Sequence, residues 1–150
     1  MTINVKTSLV LAVALAAGAV LLSQDADESA PLFVGHDEML AKFQNGDLVA
    51  EASAYRVTAS HRNKAGQPEV HETVTDIFYV TDGRATVVLG GELVGGKMTR
   101  PHEYRGDAIR NGQAHEVGPG DVLVIPAGTP HWFQTVPNEV SYLVVKVIQE

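Results

Sequence analysis

The stretch Gly-Asp-Val-Leu-Val-Ile-Pro-Ala-Gly-Thr-Pro-His, residues 120–131, gives the clearest indication of architecture in this chain. Gly120 predicts a turn into a strand, Pro126 and Gly128 turn the chain back, and His131 begins the returning strand. A hairpin of this kind can aim one imidazole into a cavity, where its Nε2 can bind a metal ion. The alternative is a histidine that caps a loop or is hydrogen-bonded within the core.

The sequence around this hairpin predicts a β domain preceded by one helix. Strand-like segments are separated by turn residues such as Asp82-Gly83 and Gly118-Pro119-Gly120. The predicted strands are residues 49–60, 69–80, 85–89, 114–117, 122–125 and 140–148. Short strands at this spacing favour a barrel or sandwich. Before them, the spacing of Phe33, Leu40 and Phe43 predicts a short amphipathic helix that ends at Gly46.

Length and composition limit the classes of protein to which the chain can belong. Its 150 residues fit one domain, and 45% hydrophobic with 19% charged residues is typical of a globular protein. A net charge of -7, from 11 basic and 18 acidic residues, lacks the positive field that binding to nucleic acid requires. Because the chain contains no cysteine, any metal ion must be held by nitrogen and oxygen ligands.

The first thirty residues differ in character from the rest. Lys6 precedes an uncharged apolar run over residues 9–22, which resembles an export signal and is short for a membrane span of roughly 20 residues. We therefore expect residues 1–30 to be a signal peptide or an uncleaved N-terminal anchor and residues 31–150 to be one domain. The protein would then be exported, either periplasmic or secreted, with membrane contact only through an uncleaved anchor. A buried apolar helix is the alternative, but a domain this small has little to cover it.

Two motifs carry a resemblance to a known family. Residues 120–131 fit the second cupin motif, G-x5-P-x-G-x2-H, at every fixed position. The first cupin motif usually reads H-x-H, three or four residues, an acidic residue, six more residues and a glycine. Glu69, His71, Asp76 and Gly83 occupy those positions with the spacing kept, so that Glu69 replaces the first histidine and Asp76 the usual glutamate. The chain thus resembles a small single-domain cupin with motifs at about 66–83 and 120–131.

The resemblance implies an all-β double-stranded β-helix, or jelly-roll barrel, with a small-molecule cavity that often holds a divalent metal ion. Carried over by position, the ligand set would be Glu69, His71, Asp76 and His131. Such ligands suit Fe, Mn, Ni or Zn. Glu69 is alternatively a catalytic base, and the short Asp76 alternatively orients His71 without touching the metal. A further alternative is that Glu69 and Asp76 are solvated charges and no metal binds.

The functional classes that remain are an enzyme and a binding protein. The resemblance implies a metal-dependent enzyme acting on a small organic molecule, with oxygenase-type chemistry slightly preferred over isomerase or lyase chemistry. The alternative is a non-catalytic cupin that binds or senses a small ligand. A homodimer is expected from the habit of the family and from exposed strand edges. Nucleophile elbows, phosphate-binding loops and the zinc-protease pattern HExxH are absent from the sequence.

Three features outside the motifs have weaker interpretations. If Tyr142, Val144 and Lys146 face the cavity, the ammonium could bind an anionic substrate or act as a base. We expect instead that Lys146 faces outward and protects an edge strand. Residues 97–110, which include His102, are predicted to be a charged loop long enough to form a lid or an interface. Trp132 lies on the strand face opposite His131 and is interpreted as a packing residue or a subunit contact.

Overall fold

The computed structural model describes residues 30–149 of the chain. Its helix, α1 (His36–Asn45), has Asp37 and Glu38 in the first turn, where acidic side chains interact favourably with the helix dipole. The helix ends at Gly46, which has a φ of 73° and donates its N–H to the carbonyl of Lys42 at 2.9 Å. Glycine adopts this left-handed conformation without steric cost, so the predicted helix and its end are confirmed.

Within residues 30–149, thirteen strands follow the helix. They are β1 (Leu48–Glu51), β2 (Tyr55–Arg62), β3 (Glu69–His71), β4 (Val74–Gly83), β5 (Ala85–Leu89), β6 (Glu92–Val94), β7 (Lys97–Arg100), β8 (Glu103–Arg105), β9 (Ala108–Arg110), β10 (Gln113–Val117), β11 (Val122–Ile125), β12 (His131–Thr135) and β13 (Val140–Ile148). The predicted strands 49–60 and 69–80 are each divided into two by a short break.

Two antiparallel sheets enclose the interior. One has the strand order β1-β2-β13-β4-β11, and the other has the order β10-β5-β12-β3-β8-β7, while β6 and β9 form a separate pair. Strand β13 lies in the middle of the first sheet between β2 and β4. Neighbours that are distant in sequence give the jelly-roll topology, which confirms the all-β double-stranded β-helix with a short N-terminal helix.

The core lies between the two sheets because alternate residues of each strand point inward. On β4, Phe78 and Val80 are buried while Tyr79 between them is exposed. On β13, Tyr142 and Val144 are buried in the same way. The core cluster consists of Phe78, Val80, Ala85, Val87, Val117, Leu123, Ile125, Phe133, Val140, Tyr142 and Val144.

Gly83 allows the first sheet to close tightly at the end of β4. It has a φ of 74°, and a Cβ built on it would lie 2.0 Å from the carbonyl oxygen of Glu139. No other residue fits there without moving the backbone that leads into β13. The glycine of the first motif is therefore required by a close approach of two backbone segments.

The prediction of a loop over residues 97–110 is wrong. This segment forms β7, β8 and β9, and β8 pairs with β3 in the register Glu69 with Arg105 and His71 with Glu103. The many charges of the segment obscured its extended conformation, because strands that cover the edge of a sheet carry polar residues on their outer faces. His102 lies at the turn between β7 and β8, with a φ of 62°.

The predicted signal peptide or anchor falls almost entirely on residues 1–29, which lie outside the described residues. Among residues 30–149, no helix is both long enough and apolar enough to cross a bilayer. The division of the chain at residue 30 stays a prediction.

Candidate metal centre

Residues from both sheets meet at one end of the barrel interior. Glu69 and His71 are two residues apart on β3, so their side chains point to the same side. His131 is the first residue of β12 and is the direct cross-strand partner of Glu69. Asp76 approaches from β4 in the opposite sheet. The four residues predicted from the two motifs are therefore brought together.

Three of these residues form a group that could hold a metal ion. One ligand atom each from Glu69, His71 and His131 can be chosen so that all lie within 4.8 Å of one another. Glu69 Oε1 lies 3.4 Å from His131 Nε2. Donor atoms bonded to a tetrahedral zinc ion at about 2.1 Å stand roughly 3.4 Å apart, so this separation fits a shared metal ion.

The ring of His131 is held in the orientation that metal binding requires. Its Nδ1 lies 3.1 Å from the carbonyl oxygen of Thr129. A carbonyl can only accept, so Nδ1 carries the proton and Nε2 presents a lone pair to the centre of the site. Within the described residues, Nε2 of this buried ring has no hydrogen-bond partner. A buried nitrogen lone pair without a donor is costly unless a cation binds there.

The turn of the second motif is bonded to the strand of the first. Gly128, with a φ of 78°, donates its N–H to the carbonyl oxygen of His71 at 2.7 Å. The N–H of Thr129 closes the turn on the carbonyl of Pro126 at 3.1 Å. The position of the His71 backbone is therefore tied to the same turn that orients His131.

Asp76 is almost completely buried beside the two imidazoles. Its Oδ2 lies 3.5 Å from His71 Nε2 and 3.6 Å from His131 Nε2, and it has no hydrogen-bond partner within residues 30–149. Its Oδ1 accepts a hydrogen bond from the ammonium of Lys146 at 2.6 Å. Asp76 thus lies near enough to join a metal ion while one of its oxygens is already bound to a cation.

The expectation that Lys146 faces outward is wrong. Lys146 follows Tyr142 and Val144 at the two-residue period of β13, and both of those side chains are buried on the inner face. Its Nζ lies 3.3 Å from His71 Nε2 as well as 2.6 Å from Asp76 Oδ1. The side chain is only partly exposed, because it lies along the inner face of the barrel.

Arg105 is a residue of the site that the sequence analysis missed. It reaches Glu69 from β8, and its Nη2 lies 2.8 Å from Glu69 Oε2 and 3.0 Å from Glu103 Oε1. Recognising β8 as a strand would have shown Arg105 opposite Glu69, since the two residues are cross-strand partners. The local sequence contains no signal for that pairing.

The charge states of Glu69 and His71 suit metal binding. Burial alone would raise the pKa of Glu69, but the His131 and His71 imidazoles in their charged forms, together with Arg105, lower it from 4.5 to about 2. Burial lowers the pKa of His71, and the Lys146 ammonium lowers it further, although Asp76 and Glu69 act in the opposite direction. At neutral pH the carboxylate is therefore ionised and the imidazole is neutral, which are the forms that bind metal ions.

An aromatic cluster fills the interior next to the site. Phe133 stacks on Tyr142 with ring centroids 4.8 Å apart, and Phe78 lies 5.7 Å from Phe133 and 6.0 Å from the His131 ring. Arg62 donates from Nε to the Tyr142 hydroxyl at 2.7 Å. Burial raises the pKa of Tyr142, although Arg62 partly offsets that effect. The candidate metal centre therefore has an apolar wall on one side.

Two further residues from the sequence analysis lie outside the centre. Trp132 donates its indole N–H to the carbonyl of Gly66 at 2.8 Å, which is a packing role within this chain. His102 is largely exposed and lies 3.1 Å from Glu72 Oε2. The contacts of both rings are thus with Gly66 and Glu72 rather than with Glu69, His71 or His131.

Comparison with known proteins identifies the family of the chain. The sequence profile described as Cupin matches residues 41–149. The chain belongs to the cupin family. Curated proteins give no significant match to the sequence.

Several solved structures resemble the chain at low sequence identity. A Bacillus halodurans protein is 18% identical with a TM-score of 0.57, and the match covers 81% of this chain and 85% of that one. A cupin protein from Bacteroides fragilis is 12% identical with a TM-score of 0.49, covering 79% and 83%. KdgF from Halomonas is 20% identical with a TM-score of 0.49, covering 69% and 79%. At this identity the similarity concerns the cupin fold alone.

Proposed function

We propose that this cupin is a metal-dependent enzyme that acts on a small organic molecule in its barrel, with a divalent metal ion held by Glu69, His71 and His131. The single observation that carries the proposal is the buried Nε2 of His131, which lacks a hydrogen-bond partner within the described residues and faces Glu69 and His71. A metal ion there would supply Lewis-acid or oxygen-activating chemistry. Iron, manganese, nickel and zinc all suit two imidazoles and a carboxylate.

Glu69 acts as a metal ligand in this proposal rather than as a catalytic base. Its pKa of about 2 makes the carboxylate a weak base at neutral pH, whereas efficient general bases have a pKa near the working pH. Arg105 also fixes one oxygen of Glu69 and leaves Oε1 directed at His131. Both contacts favour a stationary ligand over a group that accepts and releases protons.

Asp76 stands outside the metal-binding group in this proposal. Its Oδ1 is bonded to Lys146, and its Oδ2 lies beside both imidazoles. In that position it balances the positive charge of Lys146 and holds the ammonium beside His71. Asp76 therefore positions Lys146 in this proposal.

Oxygenase-type chemistry is the preferred reaction class. Three protein ligands leave open positions on a metal ion, and two histidines with one carboxylate form the ligand type of non-haem iron oxygenases. The aromatic wall of Phe78 and Phe133 favours a substrate with an apolar part, and the Lys146 ammonium favours an anionic group on it. Isomerase or lyase chemistry would use the same ligands.

A non-catalytic binding protein is the second candidate, and the contacts of Arg105 and Lys146 favour it. Both cations pair with the acidic residues of the site, at 2.8 Å for Glu69 and 2.6 Å for Asp76. A site whose carboxylates are already neutralised can remain stable with a small anionic ligand and no metal ion. A sensor or carrier of such a ligand would need no further residues.

Metal content separates these candidates first. The chain is purified and loaded in turn with Fe(II), Mn(II), Ni(II) and Zn(II), and bound metal is measured for wild type, His71→Ala and His131→Ala. We expect stoichiometric metal in wild type and its loss in both variants. A wild type that retains no metal under any supply contradicts the metalloenzyme proposal and leaves the binding protein.

Turnover separates an enzyme from a metal-containing binder. Oxygen consumption is measured with the iron-loaded protein and a panel of carbonyl and phenolic compounds, with His131→Ala as the control. Consumption that depends on both compound and His131 supports an oxygenase. Product analysis under anaerobic conditions would detect isomerase or lyase activity instead.

We also propose that the protein is exported and acts as a homodimer. Export rests on the apolar run of residues 9–22, and fractionation of cells that express the full chain tests it.

The dimer proposal rests on the outer face of the edge strand β11, where Val122 and Val124 are each more than half exposed beside Tyr79 of β4. Light scattering of wild type and Val124→Glu tests it, because a charge on that face should give a monomer.

A further inference from the structure

Lys146 brings a positive charge to the candidate metal centre itself. Its Nζ donates to Asp76 Oδ1 at 2.6 Å and lies 3.3 Å from His71 Nε2. Asp76 is 1% exposed, so this contact is formed inside the barrel rather than at its surface. A strand position that carries an apolar residue elsewhere on the inner face of β13 here carries an ammonium group.

The contact with His71 involves the atom that a metal ion needs. An ammonium can only donate, so a hydrogen bond from Lys146 to Nε2 uses the lone pair of that nitrogen. A metal ion bound to His71 would use the same lone pair. The two cations therefore cannot both bind Nε2 of His71.

The contact with Asp76 occupies a second group that could bind the metal ion. Asp76 Oδ2 lies 3.5 and 3.6 Å from the two Nε2 atoms, which places it within reach of a shared cation. With Lys146 on Oδ1, the negative charge of Asp76 is already balanced. Without Lys146, a buried carboxylate would face the two imidazoles with no counter-charge.

From these contacts we propose that Lys146 is a resident cation that competes with the metal ion for His71 and Asp76 and thereby lowers the affinity of the site for divalent metals. The proposal deepens the proposed function and rests on the metal centre of Glu69, His71 and His131. With Lys146 present, metal binding requires the ammonium to leave His71. With Lys146 removed, Asp76 becomes a fourth ligand.

The test compares metal affinity between four forms of the full chain. They are wild type, Lys146→Met, the double variant Asp76→Asn/Lys146→Met, and Lys64→Met. Methionine keeps the length and apolar stem of lysine without its charge. Lys64 is exposed in a loop, so Lys64→Met makes the same change in net charge away from the site. Binding of Zn(II) and Mn(II) is measured by calorimetry and by competition with a coloured chelator.

We expect Lys146→Met to bind both metals at least about tenfold more tightly than wild type, which is the scale on which groups next to metal ligands alter affinity. The double variant should lose most of that gain, because a neutral amide replaces the released carboxylate. Lys64→Met should bind as wild type does. Mn(II) should gain more than Zn(II), since a second carboxylate favours harder cations.

Thermal unfolding without metal checks that the variants fold. Lys146→Met leaves Asp76 buried and unpaired, so it should melt below wild type in a chelator and recover when metal is added. The double variant has no unpaired charge and should melt closer to wild type. If Lys146→Met does not fold without metal, recovery on adding Zn(II) still supports the proposal.

The outcomes separate this inference from the proposed function. Equal metal affinity in wild type and Lys146→Met overturns the role of Lys146 and leaves the metal centre standing. Metal binding by Lys146→Met but not by wild type supports the role of Lys146 and overturns a metal-dependent function for the natural chain. Absence of binding in every form overturns both.

Discussion

The candidate metal centre and the aromatic cluster share the strands β4, β12 and β13 but have opposite chemical character. On β4, Asp76 lies two residues before Phe78, and on β12, His131 lies two residues before Phe133. On β13, Tyr142 of the cluster lies four residues before Lys146. A shift of one inward position along β4 and β12, and of two along β13, therefore changes the interior from stacked rings to charged groups and candidate metal ligands.

The two regions differ in how completely their buried polar groups are satisfied. The rings of the aromatic cluster stack on one another, and the Tyr142 hydroxyl is bonded to Arg62. At the metal centre, Asp76 Oδ2 and His131 Nε2 are buried without a partner within residues 30–149. Unsatisfied buried groups cost stability and are kept where they serve a ligand. Changes in the two regions should accordingly affect different measurements.

The largest expected effect is the loss of a ring from the aromatic cluster. Phe133→Ala should lower the free energy of unfolding by about 3–5 kcal/mol, because it removes a buried ring and leaves a cavity. Urea unfolding measures this, with Phe33→Ala as control because Phe33 is 90% exposed. The control should change stability by less than about 0.5 kcal/mol. A similar loss in both variants would contradict the assignment of Phe133 to the core.

The second effect concerns acid stability at the metal centre. Because folding lowers the pKa of Glu69 from 4.5 to about 2, its carboxylate stabilises the fold above pH 4.5, and that contribution is lost as the pH falls towards 2. The contribution is about 3 kcal/mol. In a chelator, the stability difference between wild type and Glu69→Gln should therefore shrink from pH 5 to pH 2. Glu72→Gln, on a more exposed neighbour outside the candidate metal centre, is the matched control.

A third effect should separate the two regions directly. At a metal concentration 100 times Kd, wild type should gain about 2.7 kcal/mol of stability, because only the folded chain binds. His131→Ala should lose this gain, whereas His102→Ala should keep it because His102 is exposed and paired with Glu72. Phe133→Ala should keep most of it from a lower baseline. Thermal melting with and without metal gives the gain in stability for all four proteins. An unchanged gain in His131→Ala would contradict the proposal that His131 binds the metal ion.

The smallest effect is at the polar edge of the aromatic cluster. Tyr142→Phe removes the acceptor for Arg62 Nε and should cost about 1.5 kcal/mol, the lower end of the scale for a hydrogen bond to a charged group. Metal affinity should change little, since the Tyr142 hydroxyl is hydrogen-bonded to Arg62 rather than to a candidate metal ligand. Tyr79→Phe, on an exposed tyrosine of β4, is the matched control for urea unfolding.

The sequence predicted the parts of the site that depend on local spacing. His131 follows from the turn at Pro126 and Gly128, and the pair Glu69 and His71 follows from the two-residue period of a strand. The same period puts Lys146 in one row with Tyr142 and Val144, which in the structure is the inward row. The other row contains Leu143, Val145 and Val147 and is apolar too, so the period alone left both orientations open. The expectation of an outward lysine followed its charge.

Arg105 and the state of Asp76 could not be predicted in this way. Arg105 reaches Glu69 only because β8 pairs with β3, more than thirty residues earlier in the chain, and strand pairing over that distance leaves no local pattern. The two motifs gave the place of Asp76 but not its partner, since Lys146 is seventy residues away. Sequence spacing thus predicted that the residues of the two motifs lie close together, but not which cation pairs with each carboxylate.

The contact between β3 and β12 gives the metal centre a mechanical role. In the described ladder these strands are joined through one residue pair, Glu69 with His131, so this is a narrow seam in the second sheet. A metal ion bound to both side chains would cross-link β3 and β12 at this residue pair. Loading with metal should then slow the exchange of the amide hydrogens of residues 69–71 with solvent. It should slow the exchange of those of β1, at the far edge of the other sheet, to a smaller extent.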